Sequence, residues 1–437
     1  MKNLYYINGH DLKIDDIISI MRNKNCKVVV SKEALSICQD SRNQITKWLE
    51  KDAPVVYGVN TGLGNLKDTV LSPDDHLKWN KTIPYPHAVG FGDPIDPIIT
   101  RLALLLRTNV LSRGYSAVRP ELINRMLDIF NAGISPVVLE LGSTGLSDLG
   151  PLSQSAMVVA GLEEAEVFHK NSRKKAQDCF IEVGLPPTFE LECKEVLSQM
   201  NGSTMTQAIA VLAYHSLQSL FELQNNIERK IDIDMLNTLT SRTSIYYACE
   251  KSMKFVNGIL NFENNITCDN PLLFKIEEGS YEPVMGCNCS NTQVGYVMDL
   301  LNMIAHEKAV FLVKIIELMS VNTQELSFIN HLIHGISNEL KGLCMPASAD
   351  SIPTKGNQED HVEFSYGAAR KASKAAELYK KLVSSFIYVW LFKERPSLNL
   401  ENSFEREINT LIIKVELEKT KEGKFQAIQD GCQTFLL

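Results

Sequence analysis

Seven loops of this chain concentrate the residue types that move protons and hold anions. They read YGVNTGLG (57–64), PHAVGFGDP (86–94), GSTGLSDLGPLSQ (142–154), MNGST (200–204), ENNITCDNPL (263–272), GCNCSN (286–291) and MPASADSIPTKGNQEDHV (345–362). Taken singly, each is a turn, because Asn and Gly tolerate positive φ and Pro fixes it. Taken together they carry Tyr57, His87, Asn201, Asn288 and Glu359. A phenol or an imidazole can transfer a proton. A carboxylate accepts N–H from a basic ring, and an amide serves an anion through two donors without carrying charge. Loops placed by rigid elements are where such chemistry usually sits.

The elements that would position these loops read as helices. Residues 101–113 are apolar nearly all round. Pro120–Ala132 carries Leu122, Met126, Leu127 and Phe130 at helical spacing. A helix is expected over Pro151–Glu166, with a proline in its first turn, and a long one over Ser198–Glu228. Gly295–Ser320 keeps Val297, Leu300, Leu301, Ile304, Phe311, Ile315 and Met319 on one stripe. Its other faces are also fairly apolar, as are those of Ala368–Phe392, so both helices should be buried in a bundle or at a subunit contact. Strand signals are few and short, Lys27–Val30 among them. The expectation is an all-α protein, a long central helical bundle with a small mixed N-terminal part. It divides into a loop-rich catalytic part, 1–195, and the bundle with a shortened tail, 196–437.

With 437 residues, 44% of them hydrophobic, the chain can bury a large core. A net charge of −8 with no basic block argues against nucleic acid as a partner. The N-terminus has no apolar signal core, and no apolar run is long enough to span a bilayer. A cytoplasmic protein with no membrane partner is expected. The ten cysteines include one close pair, Cys287 and Cys289, without further ligands at zinc spacing, so no metal is expected.

YGVNTG and SIPTKGNQEDHV are long and distinctive, and with the other loops they resemble the aromatic amino-acid lyases, specifically the histidine ammonia-lyase type. The resemblance runs from about Val30 to about Leu382. It implies a central helical bundle, a homotetramer whose sites take loops from three subunits, and elimination of ammonia from an α-amino acid. It further implies that Tyr57 is the base that removes the β-proton. A phenol ordinarily holds its proton to about pH 10, so the base must be tuned or held close to its target. His87 falls at the ring-recognition position, where phenylalanine-type members carry an apolar residue. Glu359 matches the glutamate of histidine-type members, where the phenylalanine type has Gln. Asn201 and Asn288 match asparagines that hold the electrophile and the substrate carboxylate.

Two stretches depart from the family pattern. Active members make a methylidene-imidazolone electrophile from Ala-Ser-Gly by attack of the Gly nitrogen on the Ala carbonyl with loss of two waters. Here the triplet is Leu146-Ser147-Asp148, and against the family pattern the Gly is deleted. A β-carbon on both flanking residues opposes the sharp bend that closure needs, so this cofactor is expected to be absent. The family's Tyr-Ser-Leu-Arg segment, whose Arg pairs with the substrate carboxylate, also lacks a match. Arg242 in Thr-Ser-Arg-Thr is the nearest candidate.

Three functions fit these residues. One is amine elimination without the electrophile from an imidazole-bearing amino acid or betaine, as in ergothionase-like relatives, because a trimethylammonium leaves unaided. Another is a non-catalytic homologue, acting as a binding protein or as a partner subunit for an active paralogue. The last is an ordinary histidine ammonia-lyase.

Overall fold

The computed structural model describes residues 3–23, 25–50, 53–63, 69–349, 351–357, 359–394, 403–433 and 436. Gly64, Asp350 and Gln358 of the loops quoted above lie outside them. The chain forms two compact units, and each is assembled from discontinuous segments.

The first unit comprises Met1–Ile209, Ile259–Gly295 and Ala347–Gly367. Its strands are short. Leu4–Ile7 pairs in parallel with Lys27–Val30, the strand expected from sequence. Leu272–Glu277 and Ser280–Val284 form an antiparallel hairpin. The helix Pro97–Leu111 starts where Asp96 Oδ1 accepts from Ile98 N at 2.9 Å and Pro97 presets φ. Eleven of its residues are buried, as its all-round apolarity requires. Pro120–Asn131 buries Leu122, Met126, Leu127 and Phe130 on the expected stripe.

Two expected helices end differently. Leu149–Ala160 stops at Gly161, in the left-handed region at φ 67°. A Cβ there would sit 2.0 Å from Pro187 O, so only glycine fits, and the helix ends there rather than at Glu166. Glu166 instead opens the strand Glu166–His169. The stretch Ser198–Glu228 is two helices, Glu195–Met200 and Thr204–Glu228, separated at Asn201-Gly202-Ser203. A Cβ on Gly202 would meet Arg107 Nη1 at 2.1 Å, so this loop is built round a buried guanidinium.

The second unit comprises Ala210–Gly258, Tyr296–Pro346 and Ala368–Leu437. It draws on the long helices Thr204–Glu228, Arg242–Glu263, Thr292–Ser320 and Ser365–Glu394, together with Ser327–Gly342 and two C-terminal helices. The last two of the four span 29 and 30 residues, about 45 Å of helix each. Met298, Leu301, Leu312, Ile315 and Ile316 of one, and Tyr379, Leu382, Phe386 and Trp390 of the other, are fully buried. Residues 196–209, 259–295 and 347–367, expected with the bundle, fall in the first unit. The reason is local: these segments are the loops and helix ends that surround the cleft described next. Among the described residues no helix is long and apolar enough to cross a membrane.

Candidate active site

A cleft of about 1210 Å³ opens in the first unit. Tyr57, His87, Asn201, Glu359, Leu146 and Ser147 all line it, although they come from five loops far apart in sequence. Asn288 does not line it, but its neighbours Cys287 and Cys289 do, and its Nδ2 is buried without a partner. Arg242 is in the second unit. It is the first residue of the helix Arg242–Glu263, pairs with Glu228 at 2.5 Å, and lines a cavity of that unit with Tyr246 and Lys308.

Backbone capture holds the loops in place. Arg107 is 2% exposed and donates from Nε to Ser198 O (2.7 Å), from Nη1 to Cys268 O (2.7 Å) and from Nη2 to Asn201 O (3.0 Å). Its charge is spent on carbonyls and none of it reaches the cleft lining. Below it, Lys194 pairs with Asp269 at 2.5 Å, and both side chains are fully buried. Asp269 Oδ2 also accepts from Ser198 Oγ at 2.9 Å. Asn201 Nδ2 donates to Asn270 O at 3.2 Å, which ties the Asn-Gly loop to the Asp-Asn-Pro loop. Asn270 Oδ1 accepts from Gly286 N at 3.1 Å and carries the tie on to the Cys-Asn-Cys loop.

His87 ends the short helix Pro84–His87, and its Nδ1 lies 2.9 Å from Ile83 O. A carbonyl oxygen can only accept, so Nδ1 carries the proton in the neutral ring and Nε2 is the acceptor. Glu359 is held on both oxygens. Thr354 Oγ1 donates to Oε2, and the Lys355 ammonium lies 2.7 Å from Oε1. Lys355 itself lines the cleft, a position that sequence reading had passed over.

The Leu146-Ser147-Asp148 stretch is tightly engaged. Ser147 lies at φ 58°, and its hydroxyl donates to Met200 O (3.2 Å) and accepts from Gly202 N (3.1 Å). Asp148 N donates to Gly202 O at 2.7 Å. The Asp148 carboxylate is buried and turned away from its own helix. It accepts from Thr206 N (2.7 Å), Thr206 Oγ1 (2.8 Å) and Ser143 Oγ (2.6 Å). It thus caps the start of the helix Thr204–Glu228 from another segment. Burial pushes its pKa up to about 6 against the lowering effect of those donors, and the charge of Glu363 adds to the rise. The backbone nitrogen that follows Ser147 is thus engaged by Gly202, and the Leu146 side chain before it is 4% exposed.

Elsewhere in the first unit, two more carboxyls are forced towards the protonated form. Burial lifts Glu263 to about 7 despite the hydrogen bond it accepts from Gln293. Glu363 is raised by burial as well. It accepts from Asn291 N at 3.0 Å, while its second oxygen has no hydrogen-bond partner. Among the described residues no group of three or more His, Cys, Asp or Glu could hold a metal ion.

Residues 12–228 and 238–392 match the family model described as aromatic amino acid lyase. Histidine ammonia-lyase of Alkaliphilus metalliredigens is 28% identical over 435 residues, 85% of this chain and 84% of that protein. Histidine ammonia-lyase of Halalkalibacterium halodurans is 29% identical over 436 residues, with the same shares. Among solved structures, histidine ammonia-lyase from Trypanosoma cruzi superposes with a TM-score of 0.83 at 23% identity, over 99% of this chain and 96% of that one. Ergothionase from Treponema denticola, an ergothioneine-degrading enzyme solved with desmethyl-ergothioneine sulfonic acid, gives 0.83 at 18% identity over 99% of each chain. At these identities the two structures speak to fold alone.

Proposed function

The chain belongs to the aromatic amino acid lyase family, and on that premise we propose that it eliminates an amine from an imidazole-bearing α-amino acid whose nitrogen is already a good leaving group, a quaternary ammonium. The observation that carries this reading is the convergence of Tyr57, His87, Asn201 and Glu359 on the cleft that Leu146 and Ser147 also line. Two of the lining groups suit an imidazole. His87 in its Nδ1–H form offers Nε2 as an acceptor, and Glu359 offers a carboxylate. A ring with N–H groups satisfies both; a phenyl ring would leave them unpaired at a cost in affinity.

In this reading Tyr57 removes the β-proton. The C–H electron pair becomes the Cα=Cβ bond, and the C–N pair departs with a neutral tertiary amine. Asn201 orients the substrate. No step passes through a methylidene-imidazolone, because the commitment of Asp148 N to Gly202 O and the bulk of Leu146 oppose its formation. Ammonia is a poorer leaving group, so histidine itself should not react.

The test is to incubate the protein with histidine, its trimethyl betaine and the 2-thio analogue of that betaine. The conjugated acrylate is followed in the ultraviolet, and the intact mass of the chain is measured. The expected result is turnover of a betaine by a chain of unmodified mass, with Tyr57→Phe slower by about 10²–10⁴. Relatives named histidine ammonia-lyase favour a second reading, the ordinary reaction. Turnover of histidine by a chain lighter by two waters would establish that one instead. Binding of all three without turnover, unaffected by Tyr57→Phe, would leave a non-catalytic homologue.

A further inference from the structure

We propose that Lys355 anchors the substrate's carboxylate and that the substrate enters by splitting the Lys355–Glu359 ion pair. This rests on the reading above, that the cleft takes an imidazole-bearing amino acid or betaine.

An amino acid or betaine brings a carboxylate, so the cleft needs a cation or several donors to receive it. Lys355 is the only lysine or arginine among the described residues lining the cleft. Other cations are committed elsewhere. Arg107 is enclosed by the carbonyls of Ser198, Asn201 and Cys268, and Lys194 is locked to Asp269. Arg242 is held by Glu228 in the second unit.

Lys355 is also placed to move. Its side chain is 49% exposed and that of Glu359 is 20% exposed. A pair this open to water contributes little and is readily exchanged. The buried Lys194–Asp269 pair could not be opened so cheaply. The turn that carries Lys355 is fixed, however. Thr354 N donates to Glu359 O at 2.9 Å, and Asn357 N donates to Thr354 O at 3.0 Å. The mobile part is therefore the lysine stem, while its root stays beside Glu359.

The pair selects for a particular ligand. A substrate with a carboxylate at one end and an N–H-bearing ring at the other replaces both partners. Its anion takes Lys355 and its ring N–H takes Glu359. A ligand with the ring but no anion must either leave Lys355 unpaired or compete with it for Glu359. One with an anion but no ring N–H strands Glu359. The resting ion pair thus keeps both groups satisfied until a ligand carrying both ends arrives, which is a form of selection against half-matching ligands.

The experiment is calorimetric binding to the full chain with three probes that carry no leaving group: imidazole-4-propionate, its uncharged methylamide, and 3-phenylpropionate. The proteins are wild type, Lys355→Met, Lys355→Arg and Glu359→Gln. Lys355→Met is expected to weaken imidazole-4-propionate about 10- to 100-fold, the range for a lost charge-assisted hydrogen bond. The methylamide should bind no worse, and Lys355→Arg should restore most of the loss. Glu359→Gln should reduce the preference for imidazole over phenyl. If Lys355→Met weakens acid and methylamide alike, or neither, the anchor is overturned; a preserved imidazole preference would then leave the functional reading standing. If wild type prefers the phenyl acid while Lys355→Met still weakens it, the functional reading falls and the anchor remains. Failure of every probe to bind wild type overturns both.

Discussion

Glu263 shows how a single buried carboxyl ties the stability of the fold to pH. Burial raises its pKa to about 7, although Gln293 donates to its Oε1. An unfolded glutamate titrates near 4.3. The folded state therefore binds the proton more tightly than the unfolded one. The resulting stability is complete below about pH 4 and is lost as pH rises through about 7. Asp148, pushed up to about 6, acts with the same sign over a narrower window. Glu263→Gln keeps the oxygen that accepts from Gln293 and removes the ionisation. The variant is expected to gain on wild type as pH rises from 5 to 8, by roughly 1–3 kcal/mol at the upper end. Urea unfolding at each pH measures this, and a variant-minus-wild-type difference that stays flat with pH would refute it. At this scale the sequence exposed the cleft residues that sit in long motifs, Tyr57, His87, Asn201 and Glu359. It did not expose Lys355, whose partner lies four residues on but whose importance depends on which other cations the fold uses up. Nor could it tell that Arg242 faces Glu228, because that depends on two helices being neighbours.

The helices that were legible are those whose own residues decide them. Pro120–Asn131, Thr292–Ser320 and Ser365–Glu394 carry long apolar stripes, and the structure ends them within a few residues of expectation. The ends that were missed are set from elsewhere: Gly161 by the Pro187 carbonyl, the Asn201–Ser203 break by Arg107. Gly145 belongs to the second kind. It lies at φ 100°, and a Cβ there would come 2.1 Å from Ser365 Oγ and 2.8 Å from the backbone nitrogens of Ser365 and Tyr366. The loop that presents Leu146 and Ser147 is thus pressed against the first turn of the helix Ser365–Glu394. Gly133 is a matched control, with φ 73° and nothing within 4 Å of its missing Cβ. Gly133→Ala should cost about 1 kcal/mol for the backbone alone. Gly145→Ala should add an overpacking cost of about 1–3 kcal/mol and displace the loop enough to abolish ligand binding. Equal denaturation midpoints for the two variants would show that the contact with the helix start does not fix the loop.

For the molecule as a whole, the cleft and the bundle surface point to the same expectation. At about 1210 Å³ the cleft exceeds the usual 300–1,000 Å³ of a small-molecule pocket. Elimination benefits from excluding water, which a cleft of this size does less well than a small pocket. In the second unit, the helix Thr292–Ser320 leaves Tyr296 and Met303 exposed, at 57% and 43%, while most of its other apolar residues are buried. Seven residues apart, they lie within about 20° of each other round the helix. Tyr247 and Phe255 on the helix Arg242–Glu263 are exposed to a similar degree. Exposed apolar side chains that share one helix face, as Tyr296 and Met303 do, are of the kind found at contact surfaces. We expect copies of the chain to associate through this bundle surface into a closed assembly, a homotetramer by family resemblance. Sedimentation velocity at micromolar concentration should give a single species larger than the 49.0 kDa chain. Tyr296→Glu combined with Met303→Glu introduces two charges on one helix face and should shift that species towards the monomer while preserving helical content. If association also completes the site, binding of imidazole-4-propionate should weaken in proportion to the dissociated fraction and recover as protein concentration is raised. A wild-type chain that sediments as a stable monomer and binds the probe at full strength would overturn this expectation and leave the cleft complete within one chain.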